Sequence, residues 1–286
     1  MAMVLVGCGT GDSRAQLEKS VPKRIVSMSP ALTETLFELG LGDRIVGVTR
    51  YCLYPKEALE IDKIGGYLDP NWEAIVALKP DLVVLMESHI DAERRLAELG
   101  IRSVRVTQHR VVDILDSIEL VADACGVSDR GSVLRAEVEG RLDRIHEVVG
   151  GCSPTRVMIS VGRQPGAGRL ASVWAVGPGT FLDDALGYAG GINVVSGEVS
   201  GDYPEISIEG MVLLDPDDIL DIIPELEGSS IDIETALEDW QGLQILRAVR
   251  EDRVHILGRH SLTIPGPRVA EVVEAFARAL HPEASW

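Results

Sequence analysis

The chain has 286 residues, of which 45% are hydrophobic, and a formal charge of −18. That is enough for one large domain or two of ordinary size. Such acidity argues against nucleic acid or an anionic membrane surface as the main partner, while it permits docking on a basic protein surface or serves solubility alone.

From the N-terminus, Leu5-Val6-Gly7-Cys8 is a short apolar run closed by a small residue and a cysteine. This order resembles a bacterial lipobox, in which the cysteine (here Cys8) is lipidated and becomes the new N-terminus. The alternative is a chance apolar start, since only Met1 to Gly7 precede the cysteine. No run reaches the roughly 18 apolar residues of a membrane span, so the expectation is a soluble or lipid-tethered protein. Residues 1–22 read as a leader with a possible lipobox. The other cysteines, Cys52, Cys125 and Cys152, form no C-x-x-C pair, which argues against a zinc ribbon or thioredoxin-type site.

Arg24 to Met28 reads as a strand broken by Ser29-Pro30, and Thr33 as the cap of a helix ended by Gly40. Arg44 to Val48 is the next strand. Thr49 to Asn71 is a long connection holding Tyr51, Tyr54 and Tyr67, and connections of that length tend to be functional. A short helix from Trp72, a strand from Leu82 to Met86, a helix from Ala92 to Leu99 and a strand from Val104 to Thr107 follow. Strand–helix alternation points to a mostly parallel sheet covered on both faces.

The pattern then changes. Between Asp129 and Val149 apolar residues recur every three to four positions, and Gly150-Gly151 ends the run. At 1.5 Å per residue this helix spans about 30 Å. It reads as a strut between two lobes, the alternative being an ordinary helix within one continuous domain. Alternation restarts with Val157 to Val161, then a helix from Phe181 to Tyr188, a connection from Asn193 to Ser207, a strand from Arg253 to Leu257 and a closing helix from Val269 to Leu280. The fold class is α/β. The expected division is an N-terminal α/β lobe over 23–127, a bridging helix over 128–150 and a C-terminal α/β lobe over 151–286, with a ligand cleft between the lobes.

One template occurs twice. Trp72-Glu73-Ala74-Ile75-Val76-Ala77-Leu78-Lys79-Pro80-Asp81 matches Ile208-Glu209-Gly210-Met211-Val212-Leu213-Leu214-Asp215-Pro216-Asp217, each followed by an apolar tail. The residue before each proline is pushed out of the α region, so each helix stops there. The template therefore puts one surface carboxylate, Glu73 or Glu209, on each lobe. Helix capping alone is the plainer explanation of both.

Glycine-rich segments at Gly7 and Gly162 lack the strand–turn–helix setting of a phosphate cradle, and no P-loop, G-x-S-x-G or H-E-x-x-H occurs. The six histidines show no ligand spacing and read mostly as surface residues; His89 and His260 alone fall just past strand ends, where open α/β sheets bind ligands. Tyr51, Tyr54, Met86, Glu87, His89, Arg163, Trp174, Tyr203, Arg259 and His260 all fall at strand ends or in long connections. Their mix of aromatic faces and cations suits a large ligand with flat apolar area and peripheral negative charge, although loop packing accounts for each taken singly.

The order Arg24-Ile-Val-Ser-Met-Ser-Pro, Thr33-Glu34, Leu39-Gly40, Ile45-Val-Gly-Val, Tyr54-Pro55 and Glu73-Ala-Ile-Val-Ala-Leu-Lys-Pro-Asp-Leu-Val-Val resembles the iron-siderophore and vitamin B12 periplasmic-binding family, the substrate-binding proteins of ABC importers. Gly190-Gly-Ile-Asn-Val and Ile264-Pro-Gly-Pro-Arg268 extend the resemblance, which runs from about residue 22 to residue 282. It implies two α/β lobes bridged by one long helix, small opening motions, and an extracytoplasmic protein tethered to the membrane only through Cys8. Its partners are then a permease with its ATPase and a small metal chelate, and no cofactor, catalytic residue or metal bound directly to the protein is implied. Glu73 and Glu209 match the carboxylates that dock into arginine pockets of the permease. Tyr51 and Tyr54 match a first-lobe ligand loop, and Trp174 and Tyr203 match second-lobe aromatics. Met86 stands where corrinoid-binding members carry tryptophan, which counts against a corrinoid, and Arg163 and Arg259 suit an anionic ferric chelate. The ligand expected is thus a ferric siderophore, then cobalamin, then haem. The alternative from another class is a chelatase-like or metal-binding enzyme using His89 and His260.

Overall fold

The computed structural model describes residues 21–195, 201–229 and 231–286. Cys8 and most of the leader lie outside them.

The first lobe is a four-stranded parallel sheet in the order β2-β1-β3-β4, formed by β1 (Ile25–Ser27), β2 (Ile45–Val48), β3 (Leu82–Met86) and β4 (Ser103–Val106). Helices α1 (Pro30–Glu38), α2 (Trp72–Ala77), α3 (Ile90–Glu98) and α4 (Val111–Ala124) connect and cover it. Alternation along the strands builds two apolar layers. Ile25, Leu82, Val84 and Met86 face one layer with Leu32 and Leu36. Val26, Val83 and Leu85 face the other with Ile75 and Leu96. Ser29, not Thr33, caps α1: its hydroxyl accepts from the Leu32 amide, and Pro30 takes the first helical position, where no amide is needed. Thr33 lies inside the helix and bonds back to the Ser29 carbonyl at 3.0 Å.

Helix α5 (Ser128–Val149) follows and packs on α4. The second lobe contains β5 (Thr155–Val161), β6 (Ser172–Ala175), α6 (Phe181–Tyr188), β7 (Gly191–Asn193), β8 (Glu205–Ser207), α7 (Ile208–Leu214), β9 (Asp218–Ile222), α8 (Ile233–Gln241), α9 (Arg247–Arg250), β10 (Val254–Leu257) and α10 (Val269–Leu280). Its sheet is mixed. β10, β9 and β5 run parallel, while β6 pairs antiparallel with β5 and β8 antiparallel with β6. β7 takes the first half of the β5 edge that β6 occupies in its second half. The expectation of parallel strands therefore holds for the first lobe and for only part of the second.

One apolar core runs through both lobes. Leu36 and Ile118 from the first, Val138, Leu142 and Ile145 from α5, and Phe181, Leu186 and Phe276 from the second all belong to it. Phe276 has no exposed surface, and truncating such a side chain to alanine costs ~3–5 kcal/mol. Shared burial of this kind makes the lobes one cooperative body.

Candidate functional site

The chain passes from β1 to β2 on one side and then to β3 on the other. In open α/β sheets a ligand binds at such a reversal, outside the strand carboxyl ends. A cavity of about 260 Å³ opens there. Ser29, Pro30 and Ala31 after β1, Met86 at the end of β3, and Tyr67 form the first-lobe wall, while Thr263, Ile264 and Pro265 close it from the second lobe. The lining is apolar, with two hydroxyls and one phenol.

His89 builds part of this wall without lining it. It is buried, and its Nδ1 accepts the Met86 amide at 3.1 Å while Nε2 donates to the Tyr67 carbonyl at 2.8 Å. Its ring lies 4.6 Å from that of Tyr67, centroid to centroid. Burial lowers its pKa, with the Tyr67 carbonyl acting against that, so the neutral tautomer is the one held. His89 thus ties the long first connection to the end of β3 and positions Tyr67. Both ring nitrogens are used, which leaves none for a metal or a proton relay.

The floor of the cleft is an ion pair between lobes. Arg268 sends Nε and Nη2 to the two Glu34 carboxylate oxygens at 2.8 and 2.5 Å. Its guanidinium also stacks 3.9 Å from the centre of the Tyr54 ring. Burial raises the Glu34 carboxyl above its ordinary range, although Arg268 works against this. Beside the pair the backbones meet: a Cβ on Gly266 would stand 3.4 Å from the Ala31 Cα. A second link joins Arg110 Nε and Nη2 to Asp184 at 3.1 and 3.2 Å.

The structure separates the expected site residues. Met86 lines the cavity, whereas Tyr54 does not and stacks on Arg268. Tyr51, Trp174 and Tyr203 are about half exposed and stand outside the cavity wall, Trp174 lying within β6 opposite Glu205 and not in a loop. Arg259 and His260 are exposed, and the His260 amide bonds Glu227 at 2.7 Å. Arg163 is inside the second lobe. Its nitrogens donate to Asp221 (2.6 Å), Asp239 (2.5 Å) and the Ala236 carbonyl (2.7 Å). The expectation of a free cleft cation there gives way to a buried three-way anchor, because the carboxylates of β9 and α8 lie within its reach. Among the histidines read as surface residues, His281 is buried. Tyr67, Ile264 and Arg268 were not singled out as site residues; a tyrosine in a long connection and a proline-rich turn after a strand were their only signals.

Glu73 and Glu209 are exposed. Each is the second residue of its helix, behind a side-chain cap: Asn71 accepts from the Ala74 amide at 3.1 Å and Ser207 from the Gly210 amide at 3.2 Å. Backbone and Ser207 hydrogen bonds lower the Glu209 pKa.

The family model for periplasmic binding proteins matches residues 25–259. The chain belongs to this family. It is 29% identical to an uncharacterized ABC transporter substrate-binding lipoprotein, YvrC, of Bacillus subtilis, across 99% of this chain and 94% of the relative. It is 27% identical to a vitamin B12-binding protein of Vibrio cholerae, across 90% and 89% of the two chains. The fold superposes on the apo periplasmic heme-binding protein RhuT of Roseiflexus with a TM-score of 0.75 at 25% identity, covering 90% of this chain and 98% of that one. No helix among the described residues is long and apolar enough to cross a membrane.

Proposed function

We propose that this periplasmic binding protein captures one intact tetrapyrrole-type chelate in the inter-lobe cleft and hands it to an ABC permease without chemical turnover. The observation that carries the ligand class is the apolar wall of Pro30, Ala31, Met86, Ile264 and Pro265. A ferric siderophore with several negative charges needs cations in that wall. With Arg163 enclosed, the expectation of a ferric siderophore keeps only Arg259, which is exposed and does not line the cavity. A flat macrocycle inserted edgewise meets apolar walls and Tyr67. The cavity lies just below the ~300–1,000 Å³ typical of ligand pockets, so such a ligand stays partly outside it. The enzyme alternative has no support in the site, since His89 is fully hydrogen-bonded and His260 does not line the cavity.

For docking, Glu73 and Glu209 are the matching contacts on the two lobes. Each has an exposed apolar neighbour on its helix, Val76 at 46% and Leu213 at 86% exposure, as a protein interface requires. Cys8 would supply the tether. Titration with cobalamin, haemin and a set of ferric siderophores, followed by tryptophan quenching and calorimetry, tests the ligand. One equivalent of a corrinoid or haemin bound more tightly than every siderophore is expected. Siderophores binding tightest would overturn the ligand class.

A further inference from the structure

Three helices end at one place on the flank of the second lobe: α5 at Val149, α6 at Tyr188 and α10 at Leu280. Gly190 marks the meeting point. A Cβ there would lie 2.9 Å from His281 Nε2 and 3.4 Å from Val149 Cγ2. Each helix end presents carbonyls without intrahelical partners and the negative pole of its dipole, so a cation is favoured where such ends converge.

His281 follows α10 and is 3% exposed. Its Nε2 is enclosed and has no hydrogen-bond partner among the described residues. That nitrogen abuts Gly190, whereas the ring nitrogen turned toward the Glu283 carboxylate is Nδ1, which makes no hydrogen bond among the described residues and is the one that can take a ligand. Beside it are a thiol and a carboxylate. One atom each from Cys152, His281 and Glu283 lie within 4.8 Å of one another, and His281 Nδ1 is 3.8 Å from the Glu283 carboxylate. Short backbone turns hold both neighbours. The Cys152 amide bonds the Val149 carbonyl at 2.9 Å. The Ala284 amide and the Trp286 indole both donate to the His281 carbonyl, at 3.1 and 3.2 Å, and Arg278 stacks on Trp286.

We infer that Cys152, His281 and Glu283 form a binding site for a borderline-soft divalent cation, best suited to zinc and separate from the ligand cleft. Thiolate, imidazole and carboxylate are the three ligand types zinc takes, at ~2.0–2.3 Å. Small side-chain rotations bring groups at these separations onto one ion. A thiolate and an imidazole disfavour magnesium and calcium. Glu283 is exposed, so the fourth position opens to water. Binding releases the thiol proton to solvent and pins the C-terminal turn to the end of α5.

Cobalt(II) titration of the full chain tests the site, in a Cys8→Ser background so that the N-terminal thiol does not compete. One equivalent is expected to raise a near-ultraviolet thiolate-to-cobalt charge-transfer band that one equivalent of zinc removes. Cys152→Ser should abolish the band while the circular dichroism of the fold stays unchanged. Glu283→Gln should keep the band but weaken affinity by at least the ~10–100-fold that losing a supporting partner costs. Zinc should raise the melting temperature of the parent and not of Cys152→Ser. No band at one equivalent, a band that survives Cys152→Ser, or unchanged affinity in Glu283→Gln would each overturn the site.

Discussion

Arg24 and Arg156 do the same work in the two lobes. Arg24 sends Nε and Nη2 to the Leu78 carbonyl at 2.9 and 2.7 Å, and Arg156 sends Nη2 to the Leu214 carbonyl at 2.8 Å. Each arginine thereby satisfies the open C-terminal end of the helix that carries Glu73 or Glu209. The return contacts match as well. Asp81 accepts the Arg24 amide at 2.9 Å and Asp217 the Arg156 amide at 3.2 Å. Lys79 and Asp215, before the two prolines, share a left-handed backbone with φ of 47° and 41°. The residue before proline leaves the α region as expected, but for the left-handed region and not the extended one.

Both carboxylates therefore sit on helices fixed at each end, which makes charge reversal a clean probe. In Glu73→Lys and Glu209→Lys, ligand affinity and melting temperature should stay near the parent values. Transport and ATPase stimulation in vesicles holding the cognate permease should fall sharply, as loss of a desolvated interfacial charge partner costs ~2–5 kcal/mol. Full stimulation by both variants would leave the repeat as a folding unit alone.

Tyr67→Ala should weaken chelate binding by ~1–3 kcal/mol, the loss of one aromatic anchor in an apolar wall. Met86→Arg should abolish binding of a tetrapyrrole by placing a charge in that wall. Calorimetry on both variants checks this; parent-like affinity in both would place the ligand elsewhere.

His89 sets a pH window. Its folded pKa is lowered below 6.5, so the unfolded chain takes up the proton first. Its contribution is complete above pH 6.5 and is lost as the pH falls through the lowered folded value. Protonation removes the acceptor for the Met86 amide and frees the Tyr67 connection. Denaturant midpoints should therefore fall on acidification below pH 6.5 more steeply in the parent than in His89→Gln. Equal slopes would remove His89 from the explanation.

Removing one member of the floor pair leaves a buried group unpaired. Arg268→Ala should destabilise the protein by ~3–5 kcal/mol, the cost of stranding a buried charge. The double variant Glu34→Leu with Arg268→Met should recover much of that loss. Urea unfolding of the parent and the two variants gives the comparison, and a double variant no more stable than Arg268→Ala would show that the stranded charge is not the source of the loss.

Strand–helix alternation, the long helix and the Glu-bearing repeat were legible because each is a local pattern with its own period or cap. The mixed second sheet was not. β6 and β8 are short, and nothing in Ser172–Ala175 or Glu205–Ser207 says which neighbour they will pair with. Helix α4 was likewise left unread between a strand and the longer α5. In the site, Met86 and the long first connection were readable from their place after strands. Arg163 and His89 were misread for one reason: a charged or polar residue past a strand looks free until the partners that enclose it are known. For Arg163 those partners are Asp221 and Asp239, and Asp239 is 76 positions away.

The close approach of Ala31 and Gly266 marks a line about which the two lobes would turn if they moved. A small rotation about that line barely changes the spacing near Met86 and Ile264, while displacement grows with height above it. A ligand that reaches far out toward the rim is therefore gripped and released by the smallest lobe movements, and one confined to the floor hardly feels them. Reach above that line, more than affinity at the floor, decides how strongly cargo and lobe motion are coupled.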